Sequence, residues 1–152
     1  MPTHSSLDVL PLSSGDRDAW DPLWQGYLDF YDHALPTRII DLTWNRLCDP
    51  AEPMGGLGAW ADGKLVGMCH YVLHRSTWAE GTYCYLEDLF TSPPARGRGV
   101  GRALIEATAE AGRKAGAEKL YWQTHAGNAT ARSLYDRLAR HEGFLVYERP
   151  LV

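Results

Sequence analysis

The sequence lacks the features that mark several large classes of protein. No apolar run approaches the roughly 20 residues needed to cross a bilayer; the longest apolar stretches have the length of strands. There is no cationic excess. Fifteen Lys and Arg against nineteen Asp and Glu leave a net charge of −4, so a nucleic-acid partner has no electrostatic footprint. Only three cysteines occur, Cys48, Cys69 and Cys84, an odd number set among apolar neighbours. That excludes a disulfide scaffold and reads as thiols used as small hydrophobic side chains in a reducing compartment. No cysteine or histidine spacing suggests a metal, and none is expected. The start has no secretory pattern, there are no repeats, and no segment is of low complexity. A cytoplasmic protein without membrane or nucleic-acid partners is expected.

What is present fits one domain spanning residues 1–152, with residues 1–6 as a loose tail. Six tryptophans and eight tyrosines are many for this length, and point to a pocket or interface as well as a core. The pattern predicts a strand over residues 7–12. A helix follows, capped by Asp16 or Asp18 with Pro22 in its first turn. Trp20, Leu23, Trp24, Tyr27, Leu28 and Tyr31 recur on one face of it. Pro36-Thr37 opens a second helix bearing Ile39, Ile40, Thr43 and Leu47, and residues 49–56 read as a loop. Strands over 57–60 and 65–74 are joined by Ala61-Asp62-Gly63, where Asp-Gly signals a hairpin. A turn at 76–81 leads to a strand over 82–91.

Val100, Ala103, Leu104, Ala107 and Ala111 then mark a helix that Gly112 or Gly116 ends. A strand over 119–124 follows, and strand–helix–strand implies a parallel pair with a right-handed crossover. Asn128 caps a helix carrying Ala131, Leu134, Tyr135 and Leu138, ended by Gly143, and residues 144–147 form a last strand. The expected order is β-α-α-β-β-β-α-β-α-β. This is an α+β fold with a mixed, mostly antiparallel sheet, a parallel pair, and helices on both faces.

The stretch from Tyr83 to Gly101 carries the chemistry. Pro93 and Pro94 stop an aromatic-rich strand, because proline has no N–H for a ladder. Gly97, Gly99 and Gly101 then lead into a helix, with Arg96, Arg98 and Arg102 and no acid among them. Bare backbone N–H groups at a helix start, with cations beside them, form a pyrophosphate cradle. It is not a P-loop, since Gly101 is followed by Arg102 and Ala103 rather than Lys and Ser or Thr. It is not the dinucleotide fingerprint either: the sixth place from Gly97 is Arg102, and from Gly99 it is Leu104.

What matches is Arg96-x-x-Gly99-x-Gly101 behind the strand Leu86-Glu87-Asp88-Leu89-Phe90. This resembles the coenzyme-A-binding motif of the GNAT superfamily of N-acetyltransferases. The stretch 85–101 is similar to the spermidine/spermine (diamine) acetyltransferase branch in particular. The element order is also that of the GNAT fold, so the resemblance covers essentially the whole chain and is weakest before Leu57. It implies that the fourth and fifth strands splay apart, with the cofactor in the gap. It further implies acetyl-CoA as co-substrate and transfer of its acetyl group directly to a small primary amine. By this resemblance Glu87 is the general base, acting through water. Tyr135 is the general acid at the coenzyme sulfur, and Asn128 and Ala131 contact the pantetheine arm. Leu89, Phe90 and Thr91 pair with that arm through their backbone, and Arg96, Gly97, Arg98, Gly99, Val100, Gly101 and Arg102 hold the diphosphate. A homodimer is expected, as family members commonly pair, with the Trp-rich stretch 20–31 supplying apolar surface.

The residues themselves suit that chemistry. An amine must be deprotonated to attack, and from a pKa near 10.4 this costs about 4–5 kcal/mol at neutral pH, which a nearby base offsets. Glu87 and Asp88 are adjacent carboxylates in an apolar strand, sent to opposite faces unless a bulge intervenes. Asp88 is the other candidate base, or a partner for the substrate ammonium. The acceptor end, residues 27–44, offers Tyr27, Tyr31, His33 and Trp44 with Asp29, Asp32 and Asp41, and of arginines only Arg38, with Arg46 just beyond. Aromatic faces and carboxylates suit a cationic amine. His125, after the fifth strand, is a further candidate to line the cleft. Two other readings stay open at this level: a coenzyme-A-binding regulatory module without turnover, and an acetyltransferase for peptides or protein N-termini.

Overall fold

The computed structural model describes residues 6–152, so the expected N-terminal tail lies, except for Ser6, outside the described residues. The elements are β1 (Leu7–Pro11), α1 (Arg17–Phe30), α2 (Thr37–Cys48), β2 (Met54–Ala61), β3 (Lys64–Arg75), β4 (Thr82–Thr91), α3 (Val100–Lys114), β5 (Ala117–Tyr121) and α4 (Ala129–Leu138). Short 3-10 turns at Ser14–Asp16 and Pro93–Ala95 precede α1 and α3. The chain divides into two compact units, one running to Trp122 and the other Gln123–Val152.

The first unit is built on one sheet of order β1-β2-β3-β4-β5. Its first four strands form an antiparallel meander, and β5 joins β4 in parallel. Asp62 and Gly63 both take positive φ, 50° and 74°, as a tight hairpin turn requires. The loop expected over 49–56 is shorter than its composition suggests. Met54, Gly55 and Gly56 extend β2, because β3 is long enough to pair with them at Val72, Tyr71 and His70.

The two faces of the sheet are covered differently. Trp20, Leu23, Trp24 and Leu28 of α1, with Trp44 and Leu47 of α2, pack as one buried cluster with Leu65, Met68 and Phe90. Each such side chain contributes about 1.5–3 kcal/mol on full burial, so the aromatic stripe of α1 is chiefly core. Cys69, the neighbour of Met68, points to the other face and meets Thr108 of α3. Helix α3 lies close to the sheet because β3 has a glycine beneath it: a Cβ on Gly67 would sit 2.6 Å from Val100 Cγ1. That close approach fixes where the first turn of α3 stands relative to the end of β4.

Two irregularities of β4 prepare the site. Opposite β3, His70 pairs with Asp88 but Tyr71 pairs with Leu86, so Glu87 is the extra residue of a bulge. The bulge reverses the alternation. Cys84 faces α3, in van der Waals reach of Gly112, whereas Asp88 meets His70 and Phe90 joins the α1 cluster. Opposite β5, only Thr82–Tyr85 of β4 are paired. From Leu86 onward β4 has no strand neighbour on that edge among the described residues.

The second unit holds α4. Asn128 caps it, its side chain accepting from Ala131 N at 3.4 Å while its amide donates to Thr124 Oγ1 at 3.3 Å. The helix ends at Leu138, with Ala139 extended, rather than running to Gly143. The last strand expected at 144–147 does not form. A strand needs a neighbour for its ladder, and residues 139–152 have none among the described residues. Phe144, Leu145, Val146 and Tyr147 are 65–89% exposed.

Candidate active site

Between the end of β4 and the start of α3 lies the loop that the sequence marks as a phosphate cradle. Pro93–Ala95 make one tight turn, Ala95 is buried as its anchor, and the chain then crosses to α3 through Gly97 and Gly99. Both take φ near +80° (77° and 80°), where a side chain is disfavoured, and a Cβ on either would meet nothing within 4 Å. The loop is therefore open in front of its backbone. Ala103 N is the first to bond back, to Gly99 O, so the N–H groups of the preceding turn lack intrahelical partners. Val100 is buried and orients that turn, while Arg98 and Arg102 are exposed beside it. Arg96 lies over the Phe90 ring at 5.6 Å and donates from Nε to Thr91 O at 3.1 Å, which braces the loop against the strand. These residues fit a diphosphate. Beside them, the unpaired edge of β4 at Leu89, Phe90 and Thr91 offers backbone groups for an extended arm to join as an added strand.

The bulge places both carboxylates next to aromatic rings. Asp88 is largely buried, 14% exposed, and sits 2.9 Å from His70 Nδ1. Glu87 is exposed. Its carboxyl is nonetheless pushed above the ordinary glutamate value, by partial burial first and then by the charge of Asp88. Tyr27 of α1 and Tyr31, its C-cap, reach the same place. Burial pushes the Tyr27 phenol far up, followed by the charge of Asp88 and a hydrogen bond to it, and Tyr31 is raised by burial and then by Asp88. Their rings stand 4.9 Å apart.

Comparisons with known proteins establish the family. The sequence matches the acetyltransferase (GNAT) family over residues 19–139. The chain belongs to that family. It is 32% identical over 148 residues to a D-amino-acid N-acetyltransferase of Saccharomyces cerevisiae, covering 96% of this chain and 92% of that one. It is 32% identical over 117 residues to the thialysine N-epsilon-acetyltransferase of Bos taurus, covering 77% of this chain and 59% of that one. Among solved structures, an aminoglycoside N-acetyltransferase in complex with CoA superposes with a TM-score of 0.84 at 18% identity, over 100% of this chain and 99% of that one. At that identity the likeness concerns the fold alone. The sheet with its parallel β4–β5 pair is the GNAT fold, and the protein is an acetyltransferase.

Several other residues of this GNAT chain now find their place. The expected acceptor end is only partly assembled. Tyr27 and Tyr31 face Asp88, but Trp44 is buried against Trp20 at 4.8 Å, and Asp41 is held by Arg17 Nη2 at 2.7 Å. Asp29 accepts from Gln25 at 2.8 Å. Trp44 therefore serves packing, because its side of α2 closes the core, while exposed Asp41 serves an ion pair. Two of the cysteines, Cys69 and Cys84, are buried. Burial pushes the Cys69 thiol up to about 12 and Cys84 up to about 11, and neither yields a thiolate at neutral pH. That suits direct transfer without an acyl-cysteine intermediate. In the second unit, Tyr135 lies on α4, and the His125 carbonyl accepts from Asn128 N at the turn before it.

Three residues near the carboxylates escaped the sequence reading. Tyr85 is raised by burial and then by Glu87, and its ring stacks on Tyr121 at 4.9 Å. Tyr121 OH in turn meets His74 Nε2 at 2.7 Å. His70 and His74, four apart on β3, thus have separate partners. The available signal for Tyr85 was its position two before Glu87 on a strand; for Tyr121 and His70 it was absent, since both depend on which strands become neighbours.

Proposed function

We propose that the protein moves the acetyl group of acetyl-CoA directly to the primary amine of a small acceptor that is cationic in solution. The observation that carries this reading is the bulge at Glu87, which sets two carboxylates among tyrosines where β4 loses its partner strand. The thioester supplies the activated acetyl group. The chain supplies the rest. Backbone groups of Leu89–Thr91 hold the arm and polarise the acetyl carbonyl, residues 97–102 take the diphosphate, and Asn128 and Ala131 contact pantetheine. Asp88, with Tyr27 and Tyr31, receives the ammonium, Glu87 removes its proton through water, and His125 lines the acceptor side.

Tyr135 completes the reaction by donating to the departing sulfur. A phenol near pKa 10 gives its proton to a thiolate near 8.5 at a cost of about 2 kcal/mol, so a strong hydrogen bond is the larger part of its effect. Tyr135→Phe is expected to keep coenzyme affinity within a few-fold and lower kcat about 10-fold or more, as for an interaction formed mainly in the transition state. Unchanged kcat assigns the proton to water.

The relatives are named for amines of different kinds, a D-amino acid and thialysine, which makes the acceptor the point to test. A turnover panel of linear diamines, thialysine, D-amino acids, aminoglycosides and short peptides checks the reading. Cationic small amines are expected to be preferred, with kcat/KM rising with pH across the neutral range. A clear preference for an acceptor of net negative charge, or for peptides, overturns it.

We also propose a homodimer, for a different reason than the stripe on α1, most of which is core. The support is the tail. Four consecutive apolar residues, Phe144–Tyr147, are exposed without a strand partner, and β5 is an edge strand at the end of the sheet order. A second copy offers a matching edge for β5 and, separately, an apolar partner for the tail. Sedimentation is expected to give a dimer at micromolar concentration, and a 17.0 kDa species throughout rejects it. The buried free thiols support a reducing, cytoplasmic location; recovery of the activity outside the soluble cell fraction argues against it.

A further inference from the structure

Asp88 is held from behind by a line of side chains that the transfer chemistry above does not use. His70 is 2% exposed, and both of its ring nitrogens have partners. The Trp20 indole N–H donates to Nε2 at 2.9 Å, and Nδ1 lies 2.9 Å from Asp88 Oδ2. An indole nitrogen can only donate. Nε2 is therefore the acceptor, the ring proton sits on Nδ1, and His70 donates it to Asp88. A second proton, on Nε2, would point straight at the indole N–H in a site closed to water. Trp20 cannot turn away. It is 0% exposed, with Trp24 stacked at 5.8 Å and Trp44 at 4.8 Å.

We propose that Trp20 and His70 are positioning residues: Trp20 keeps His70 a neutral imidazole, and neutral His70 aims Asp88 without cancelling its charge, so that Asp88 binds the ammonium form of the acceptor. This rests on the acceptor being a cationic amine, as proposed above.

The physical distinction is between two kinds of partner. An imidazolium would form a closed ion pair with Asp88, leaving no net charge to attract a cation. A neutral N–H fixes one carboxylate oxygen and leaves the full negative charge for a ligand. The other groups that face Asp88 are of the same kind. Tyr27 from α1, Tyr31 at its C-terminal cap and Tyr85 from β4 are neutral phenols raised in part by the Asp88 charge, and Glu87 from β4 is a second carboxylate. No Lys or Arg pairs with Asp88 or Glu87 among the described residues. The site thus presents anionic charge lined by neutral donors and aromatic rings, which recognises an alkylammonium.

The test combines spectroscopy with kinetics. In 15N-resolved NMR of the full chain, His70 is expected to show a protonated Nδ1 and an unprotonated Nε2. Trp20→Phe, which removes the indole N–H together with part of the ring's volume, is expected to leave Nε2 without its donor, so that an Nε2–H signal appears. Kinetically, His70→Phe is expected to raise KM for the best cationic acceptor at least 10-fold, with coenzyme affinity unchanged and a smaller effect on kcat. His70→Asn, whose amide N–H is uncharged and stands near the place of Nδ1, is expected to recover most of that loss. A merely structural role moves neither the His70 nitrogen signals nor the split between KM and kcat. An Nε2–H tautomer or imidazolium in the unaltered protein overturns the proposal, as does folded His70→Phe with an unchanged acceptor KM. If the panel above finds anionic acceptors instead, the functional reading and the ligand assigned to Asp88 both fall. The NMR result then reports separately whether Trp20 holds His70 neutral.

Discussion

Gly99→Asp is expected to abolish coenzyme binding, raising Kd by about 100-fold or more by calorimetry, while the protein stays folded. The fold tolerates the change for a specific reason. A Cβ at Gly99 meets nothing within 4 Å, so no neighbour is displaced. The φ of 80° is a left-handed value that Asp tolerates better than most residues, at a cost of about 1–2 kcal/mol. The site does not tolerate it. Gly99 is the N-cap of α3, so a carboxylate there occupies the open front of the loop and competes for the N–H groups meant for phosphate. It also adds repulsion to a dianionic ligand and offsets the pull of Arg98 and Arg102. Because these cations contribute, binding by the unaltered protein is expected to weaken with salt. Unchanged affinity in Gly99→Asp would place the diphosphate elsewhere.

Glu87→Gln is expected to lower kcat/KM about 100-fold, the ordinary scale of a lost general base. The loss should be greatest at the acid end of the neutral range, where the amine is least deprotonated on its own. The pH dependence of the unaltered enzyme follows from the sign of the Glu87 shift. Partial burial and Asp88 raise its carboxyl above the ordinary value, so the base gains its charge at higher pH than an exposed glutamate would. The same shift has the opposite consequence for stability. The folded state binds the Glu87 proton more tightly than the unfolded state, so ionisation costs stability as pH rises from the unfolded glutamate value through the raised one. Gln carries no such cost. Glu87→Gln is therefore expected to melt at or slightly above the temperature of the unaltered protein at neutral pH, while losing activity. Full activity of this variant at neutral pH would remove Glu87 from the mechanism and leave Asp88 as the remaining candidate base.

Local features were legible in the sequence because short-range chemistry dictates them. Asp62-Gly63 turned the chain at positive φ as expected, and β4 spans Thr82–Thr91 as its composition indicated. Asn128 caps α4, and the glycines before α3 adopt left-handed backbone that other residues avoid. The motif from Glu87 to Arg102 identified the family, since its residues are contiguous and its backbone conformation is set within a few residues.

Tertiary structure decided the rest. Glu87 and Asp88 are neighbours in any reading. That Asp88 turns toward α1 follows from a bulge, and a bulge exists only relative to the register of β3. The line from Trp20 to His70 joins residues 50 apart in sequence, and each alone reads as an apolar-face aromatic and a strand histidine. Trp44 and Asp41 looked equally fit for an acceptor pocket, but α2 buries Trp44 in the core and leaves Asp41 exposed and paired with Arg17. The apolar residues at 144–147 have the composition of a strand and do not form one, because a strand is defined by its neighbour and composition cannot supply that neighbour. Sequence thus determined the turns, caps and most elements, and the chemical kind of the motif. Pairing between distant segments determined which side chains meet in the site, because those contacts depend on register and packing that no short window of residues contains.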